Sequence, residues 1–500
     1  MSEAEFTLLL TDTGLIKEFD PYLLTILQWK DIDIYRQPVS FLFPADVHGR
    51  VDKLVARKQV MEKVVFPKVP LRFKPGGFIN FDMRIVDKDG GDRQLLFFKP
   101  GAAEDNSPDA PATADMYSFF NFVEQVLDSP YEGDLDMTMI EVEALKDDSL
   151  TEEQRASVRA EVEANLKGKA VGGQIGQLDE ASYGLLAAGD FNEDTFEKEL
   201  VEVASKLDIH PGLMGVRTAS VTIDDRDIDP ETLRRALSHT RSLFLGEVEG
   251  DENALDTLSA VLDGVEHHRN LLLSALKNYH FRVSERFILD NRVSIRVAAL
   301  QQGKCIIDGR LRAPDELIVL PDHPDVALQH DLAQLDEFAR ARTHRAAEDK
   351  QRVDFYELCR STLVQEEFYV GLREVLARYS LPAEQIGFRL KGLPPAKRGG
   401  LHWDKVYALG ADGHPLWLDR FGDVVTAPDS FGFMQGGYIE LPKAIMKKLE
   451  KHFDGKEMMS GLVMTWQKQN IGVVAADLGD DRLRRVAQDL GIPMTLQEPA

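Results

Sequence analysis

The chain has 500 residues, 43% of them hydrophobic, and a net charge of −25. Its length predicts about three domains, no apolar run approaches the ~20 residues of a membrane span, and the acidic excess argues against a general nucleic-acid or anionic-membrane surface. Cys305 and Cys359 form no metal-ligand pattern. Together with an acidic N-terminus that lacks the basic start of a signal peptide, they predict a cytoplasmic protein.

Two changes of composition predict the domain boundaries. Residues 101–116 are small, polar and proline-bearing, which is typical of a linker, and the acidic stretch after residue 246 leads into a helical pattern. We therefore predict a first domain at 1–100, a linker at 101–116, a second domain at 117–246, a connecting helix at 247–279 and a third domain at 280–500. The highly charged stretch 340–352 predicts a solvated helix or loop.

The first domain opens with an alternating strand and a turn, continues with short helices, and predicts strands at 64–73, 77–87 and 92–99. It carries T-D-T-G-L-I-K-E-F-D-P-Y-L-L at 11–24 and F-L-F-P-A-D-V-H-G-R-V at 41–51. In these features the segment resembles PAS domains. The resemblance implies a sheet domain with a sensing role, and we expect it to hold no cofactor.

The second domain alternates predicted helices and strands, which are a helix at 119–127, a strand at 137–146, a hairpin at 175–187, a helix at 194–207, a strand at 215–223 and a helix at 230–243. This order resembles the GGDEF domain of diguanylate cyclases. The resemblance implies that Glu141 stands at the metal-binding position of the first strand, and that the hairpin turn corresponds to Gln177, Leu178, Asp179 and Glu180.

The hairpin turn departs from the pattern that GTP binding needs. Glycines let a backbone approach a nucleotide closely, but Gln177 and Leu178 occupy those positions here. Glu141, Asp179 and Glu180 still offer carboxylates for a cation. Ordinary hairpin acids on an acidic chain are the favoured interpretation, so we expect no cyclase activity.

The third domain predicts a repeating order of helix and buried strand, the unit of a parallel-stranded barrel. It carries A-L-G-A-D-G-H-P-L-W-L-D-R-F-G at 408–422 and V-V-A-A-D at 473–477. These stretches resemble the EAL domain, a barrel that hydrolyses cyclic-di-GMP. The expected fold class is thus a multidomain α/β and α+β protein, with a PAS-like sheet domain, a GGDEF-like α/β domain and an EAL-type TIM-like (β/α) barrel.

The EAL resemblance implies seven site positions in this sequence: Ala298, Glu357, Arg389, Asp419, Arg420, Glu440 and Ala476. Alanine or arginine stands at four positions where the family binds metal, and a glutamate stands at the position of its catalytic lysine. Metal-assisted phosphodiester hydrolysis needs several carboxylates around one or two divalent cations. We therefore expect no metal, no cofactor and a pseudo-enzyme barrel.

Two uses of the altered pocket remain open. Arg389 and Arg420 either pair with Glu357, Asp419 and Glu440 in an internal network that fills the site, which we favour, or clamp the phosphates of cyclic-di-GMP without metal. The expected function is a non-catalytic bacterial signalling adaptor with protein partners, forming a homodimer or hetero-complex through its second and third segments. The alternatives are a cyclic-di-GMP receptor and a residual phosphodiesterase, and family analogy adds control of motility.

Overall fold

A computed structural model of the chain describes the following residues: 4–57, 65–88, 91–100, 113–131, 133–147, 149–189, 191–226, 228–250, 256–290, 292, 295–345, 352–391, 393, 401–419, 434, 436–451, 453–476, 478 and 481–496. They form two compact units, 1–264 and 265–500. The sequence predicted three domains, and the first unit contains two separate sheets. No helix among the described residues is long and apolar enough to cross a membrane.

The first sheet is antiparallel and lies in the order β2-β1-β5-β4-β3. Its elements are β1 (Phe6–Leu10), β2 (Ile16–Phe19), α1 (Pro21–Leu27), α2 (Asp31–Ile34), α3 (His48–Ala56), β3 (Val65–Arg72), β4 (Phe78–Asp87) and β5 (Arg93–Phe98). The rings of Phe6 and Phe97 stack at 4.9 Å, and Phe81 meets Phe6 edge-on at 5.0 Å. These rings lie in the domain core together with buried aliphatic side chains, and the three strands predicted here are present.

The second sheet lies in the order β7-β8-β6-β9. Its elements are α4 (Met116–Leu127), β6 (Asp136–Val142), α5 (Glu152–Lys169), β7 (Ile175–Gln177), β8 (Ser182–Ala187), α6 (Glu193–Lys206), β9 (Val216–Thr222) and α7 (Pro230–Phe244). Side-chain caps begin these helices, as where Thr151 and Gln154 form a capping box at α5. The strand predicted at 137–146 is wrong in its last part, because residues 143–146 form a 3₁₀ turn.

Two arginines connect the two domains of the first unit through hydrogen bonds and ion pairs. Arg93, on β5, is buried and donates to the carbonyl oxygens of Val55 and Arg57 at the end of α3. Arg57 in turn donates to Asp128 and, at 3.3 Å, to Glu124 near the end of α4. A charged chain of contacts thus runs from the centre of the first sheet to the second domain.

The second unit is a closed barrel. Helix α8 (Leu258–Lys277) begins in the first unit and ends in the second. The elements after it are β10 (Phe281–Asp290), β11 (Ile295–Ile307), β12 (Arg310–Arg312), α9 (Pro324–Thr343), β13 (Val353–Leu358), α10 (Arg360–Leu363), α11 (Glu366–Tyr379), β14 (Ile386–Leu390), α12 (Leu401–Ala411), β15 (Leu416–Leu418), β16 (Tyr438–Leu441), α13 (Lys443–Lys451), α14 (Phe453–Lys468), β17 (Gly472–Ala475), α15 (Asp481–Asp489) and β18 (Met494–Leu496). The strand order is β10-β18-β17-β16-β15-β14-β13-β11-β12, and pairing of β10 with β11 closes eight strands into a ring. β10 is antiparallel to both neighbours, and the strands from β11 through β13 to β18 pair in parallel.

Alternation along the barrel strands separates an inner core from an outer one. Leu300, Phe355, Trp417 and Val474 lie in the inner apolar cluster. Their neighbours in sequence, such as Tyr356 and Leu418, pack into the larger cluster that holds the surrounding helices. Because side chains in a strand alternate between faces, the next inward positions after Phe355 and Trp417 are Glu357 and Asp419, at the carboxyl ends of the strands.

Two predictions about the barrel need correction. The stretch 340–352 is not simply solvated, because Arg342 on α9 is 1% exposed and donates to the buried carboxylate of Asp354. A lone buried carboxylate is costly, and Arg345 also approaches Asp354 at 2.9 Å. The sequence did not predict β18, which follows α15 and completes the ring.

Candidate functional site

The carboxyl ends of three barrel strands bring together Glu357, Arg389 and Glu440. Glu357 on β13 is the register partner of Arg389 on β14. Glu440 lies on β16, two strands farther around the ring. We call this group the mouth cluster, because the carboxyl ends of parallel strands form one mouth of a barrel.

Arg389 is the centre of the mouth cluster. Its Nε donates to Glu440 Oε2 at 3.0 Å and its Nη2 donates to Glu440 Oε1 at 3.0 Å, a two-point contact between guanidinium and carboxylate. Its Nη1 donates to Glu357 Oε1. The side chains of Arg389 and Glu440 are only 11% and 6% exposed, so the pairing is largely shielded from water.

Burial and neighbouring charges act in opposite directions on these groups. Burial alone lowers the pKa of Arg389, but the carboxylates of Glu357, Glu440 and Asp419 raise it, and the net shift is upward. Burial raises the pKa of Glu440, the charges of Asp419 and Glu357 add to that rise, and Arg389 opposes it. Arg389 therefore stays charged, and the positive charge of Arg389 stabilises the ionised form of Glu440.

Two further contacts complete the mouth cluster, and the sequence analysis did not assign them. Lys391 Nζ lies 2.8 Å from Asp315 Oδ2, and Gln302 Nε2 donates to Glu357 Oε1 at 3.3 Å. Lys391 follows β14 by one residue, so strand position alone could have drawn attention to it. Asp315 comes from the loop after β12, which no short-range sequence signal connects to the barrel mouth.

A buried polar clamp from α9 holds the strands beneath Glu357. Gln334 accepts a hydrogen bond from the Gly303 amide at 2.6 Å and donates to the Glu357 carbonyl at 3.2 Å. It bridges β11 and β13 just beyond their last register pair, Gln301 with Tyr356. A side chain thus replaces the missing ladder bonds and fixes the backbone that presents Glu357.

The other predicted barrel positions fall into three groups. Asp419 lies near enough to raise the pKa of Arg389 and Glu440. Ala298 is buried in the inner apolar core and Ala476 is 2% exposed after β17, and neither offers a polar atom on its side chain. Arg420 lies outside the described residues, so the predicted network is present for Arg389, Glu357 and Glu440, with Asp419 close by.

The donor set of the mouth cluster does not fit a resident divalent metal. Hydrolytic magnesium sites use carboxylates whose oxygens are free to converge on the ion. Here both oxygens of Glu440 and one of Glu357 accept from a single guanidinium, which repels a cation. Among the described residues, no group of three or more His, Cys, Asp or Glu side chains has the geometry to hold a metal ion.

The acids of the second candidate site, Glu141 on β6 and Asp179 and Glu180 in the β7–β8 turn, lie among internal contacts. Glu141 Oε2 lies 2.6 Å from Lys146 Nζ and 3.1 Å from Arg217 Nη2. Asp179 Oδ1 accepts from the Ala181 amide at 2.7 Å, which closes the turn. The Glu180 carbonyl accepts from Arg159 at 3.2 Å. The structure does not assemble Glu141, Asp179 and Glu180 into a cation site.

An aromatic side chain covers the hairpin. Phe119 on α4 is fully buried against Gly176 and Gly184, where even one added methyl group would collide with its ring. Leu178 is 6% exposed and lies over Gly184, and the backbone N–H of Gln177 donates to the Ala114 carbonyl at 2.8 Å. The glycines of β7 and β8 thus leave room for the Phe119 ring to pack against the hairpin.

Comparisons with known proteins give fold likenesses alone. No protein-family model matches the sequence, and a search of curated proteins finds no match. Solved structures that align with it include the Xanthomonas citri FimX EAL domain in complex with c-diGMP, at 15% identity and a TM-score of 0.40, over 48% of this chain and 94% of that chain. The S helix-GGDEF-EAL part of Vibrio cholerae LapD, bound to c-di-GMP, aligns at 11% identity and a TM-score of 0.46, over 78% and 95% of the two chains.

The cGMP-bound form of the EAL enzyme Bd1971 aligns at 13% identity and a TM-score of 0.42, over 74% of this chain and 93% of that chain. At such identities and scores, these likenesses carry no argument about residues or chemistry. The chemistry of this chain rests on its own mouth cluster.

Proposed function

We propose that the protein is a non-catalytic bacterial signalling adaptor of the cyclic-di-GMP type, which acts in the cytoplasm through protein contacts. The proposal rests on one observation, the two-point pairing of Arg389 with Glu440. A guanidinium bound on both sides by carboxylates fills the place where hydrolysis would need a metal-activated water. In this proposal the mouth cluster has a structural role, because its ion pairs hold β13, β14 and β16 together.

The GGDEF-like domain supports the same proposal from a second position. Glu141 forms ion pairs, Asp179 accepts a hydrogen bond within the turn, and Phe119 packs against the hairpin glycines. Among the described residues of these two domains, no group of carboxylates has the geometry to hold the divalent metal that metal-dependent phosphoryl chemistry needs. What both retain is a packed fold with helical surfaces, which suits a role in binding other proteins.

A cyclic-di-GMP receptor is the second candidate, and Lys391 is the observation in its favour. Its side chain is 45% exposed at the mouth, next to the cationic Arg389. Burial alone lowers the pKa of Lys391, but Glu357 and Asp315 raise it, so the ammonium stays charged and is able to meet a phosphate. In a receptor, Lys391 would exchange Asp315 for the nucleotide.

Calorimetry and product analysis distinguish these functions. Purified full-length protein is titrated with cyclic-di-GMP, with and without Mg²⁺, and the mixtures are then analysed by chromatography for linear dinucleotide. The adaptor predicts no heat of binding and no product. Metal-independent binding that Lys391→Ala abolishes would favour the receptor, and product that forms only with Mg²⁺ would reveal a phosphodiesterase.

A further inference from the structure

The first domain carries an exposed surface of aromatic and cationic side chains, which we call the aromatic patch: Trp29, Ile32, Phe41, Arg72, Lys74 and Phe78. Ile32, which precedes the Asp33 partner of Lys74, is 84% exposed, and Phe78, opposite Arg72 in the β3–β4 register, is 56% exposed, whereas Trp29 and Phe41 are half-buried. Open apolar side chains grouped together mark interaction sites more often than isolated ones do. The mouth cluster and the hairpin do not use this surface.

Arg72 is held in place at the centre of the aromatic patch. Its guanidinium carbon lies 5.7 Å from the ring centre of Trp29 and 5.7 Å from that of Phe41. The Trp29 indole N–H donates to the Arg72 carbonyl at 3.0 Å, and the two rings lie 5.0 Å apart. A guanidinium held against two packed rings loses little conformational entropy when it binds a carboxylate.

The cations of the patch differ in their availability. Lys74 is already paired with Asp33, but among the described residues no carboxylate forms an ion pair with Arg72. Arg72 is also directly opposite Phe78 in the β3–β4 register, so one cation stands beside one exposed apolar ring. Tryptophan and arginine are the residues that dominate binding energy at protein interfaces.

The charge distribution of the chain indicates what covers this surface. Residues 101–264 contain 37 acidic and 12 basic side chains, a net charge of −25. Residues 1–100 contain 14 acidic and 15 basic ones, and residues 265–500 contain 33 and 32. The carboxylates that this protein offers to a cationic patch are therefore concentrated in residues 101–264, which include its own second domain.

Helix α6 in the second domain presents a complementary face. Asp194, Glu197 and Val201 follow one another at helical spacing, which places them on one side of the helix. Val201 is 41% exposed although it is aliphatic. Carboxylates next to an open apolar side chain match a fixed guanidinium next to an open aromatic ring.

We propose that the aromatic patch of one copy docks on the Asp194–Glu197–Val201 face of α6 in a second copy. Arg72 binds a carboxylate of α6, and Ile32 and Phe78 cover Val201. A two-fold axis repeats the contact, so each dimer contains it twice. This interface goes beyond the adaptor role and differs from a dimer through the second and third segments.

A polyanion such as nucleic acid fits the aromatic patch less well than a protein surface does. Lys74 is neutralised by Asp33, which leaves Arg72 as the one patch cation that is not in an ion pair among the described residues. The net charge of −25 repels a chain of phosphates over longer distances. One carboxylate beside an aliphatic group suits the patch better.

Sedimentation of the full chain tests the proposal, from about 1 to about 100 micromolar protein and at low and high salt. We expect a dimer that weakens as salt rises. Arg72→Glu and Glu197→Arg should each weaken it at least about tenfold, and the double reversal should restore the affinity to within about threefold. Lys53→Glu, an exposed position on α3 outside the patch, is the matched control and should leave the dimer intact.

A monomer at all concentrations would overturn the proposal. So would a dimer that survives Arg72→Glu and Glu197→Arg, since it must then form through another surface. Loss of the dimer in both single variants without recovery in the double variant would also contradict direct pairing. Circular dichroism melts of each variant check that the first unit remains folded.

Discussion

Arg389 and Glu440 form a two-point ion pair across the mouth of the barrel, with both N–O distances at 3.0 Å. The strands that carry them, β14 and β16, are separated by β15, so the pair spans a third strand. Beneath the pair lies Trp417, whose ring centre is 5.2 Å from the Arg389 guanidinium carbon. The ion pair thus connects non-adjacent strands directly above the apolar core.

The first prediction concerns divalent metal. We expect the melting temperature of the protein to be unchanged by Mg²⁺, Mn²⁺ or Ca²⁺, because Arg389 occupies the carboxylates that would bind such an ion. Differential scanning calorimetry over a metal titration measures this. A saturable rise in melting temperature that Glu357→Gln removes would contradict it.

The second prediction concerns GTP. We expect no cyclic-di-GMP from incubation with GTP and Mg²⁺ or Mn²⁺, since Phe119 and Leu178 cover the hairpin surface. Chromatography of the reaction mixture gives the readout. The sharper variant is Phe119→Ala, which opens space over Gly176 and should still be inactive, because Glu141 remains paired with Lys146 and Arg217. Product from either protein would show that the acids still serve catalysis.

The third prediction concerns pH and His330, which lies on α9 beside the polar clamp. Burial lowers the pKa of His330, but Asp331 at 3.1 Å, the Gly303 carbonyl at 3.3 Å and the charge of Asp315 raise it, with a net upward shift. A raised pKa means that the folded state holds the proton more tightly. The stabilisation is complete below the ordinary histidine pKa of 6.5 and is lost as pH rises through the folded-state value.

We therefore expect His330→Gln to destabilise the barrel more at pH 6 than at alkaline pH. Urea unfolding of both proteins across that range measures the difference. His280→Gln is the matched control, because its side chain is exposed near the start of β10. Equal destabilisation by His330→Gln at every pH would show that the histidine acts through packing alone.

Much of the fold follows from local patterns, but long-range contacts do not. Strand and helix signals predicted β3, β4, β5 and the α6–β9–α7 order. These signals are the alternation of apolar and polar residues and the helix-capping residues, and both are local in the sequence. The pairing of Arg389 with Glu357 and Glu440 was also predicted, since strand ends in a barrel meet at one mouth. In these cases the local pattern, or the position of a residue at the end of a barrel strand, is enough for the prediction.

The misses have a different physical origin. Burial of Arg342 depends on Asp354, which lies on another element, and a charged stretch by itself indicates only solvent. Phe119 covers two glycines that follow it by more than 50 residues, and no local signal connects them. The Gln334 clamp is likewise defined by where β11 and β13 separate, which is a property of the assembled barrel.

The fourth prediction is that Arg389→Ala costs about 3–5 kcal/mol of folding free energy, because it leaves the buried Glu440 and the partly buried Glu357 uncompensated. Arg378→Ala is the matched control. Its ion pair with Asp336 is half-exposed at 2.7 Å, so its loss should cost less than about 1 kcal/mol. Chemical denaturation followed by circular dichroism gives both values.

Arg389→Ala also tests the central claim most directly when its thermal melt is combined with one cyclic-di-GMP isotherm. A structural role predicts a large fall in melting temperature, and no nucleotide affinity in either the parent or the variant. A phosphate clamp predicts the opposite result. In that case the variant would melt at or above the parent temperature and would lose a cyclic-di-GMP affinity that the parent possesses, and the adaptor proposal would be wrong.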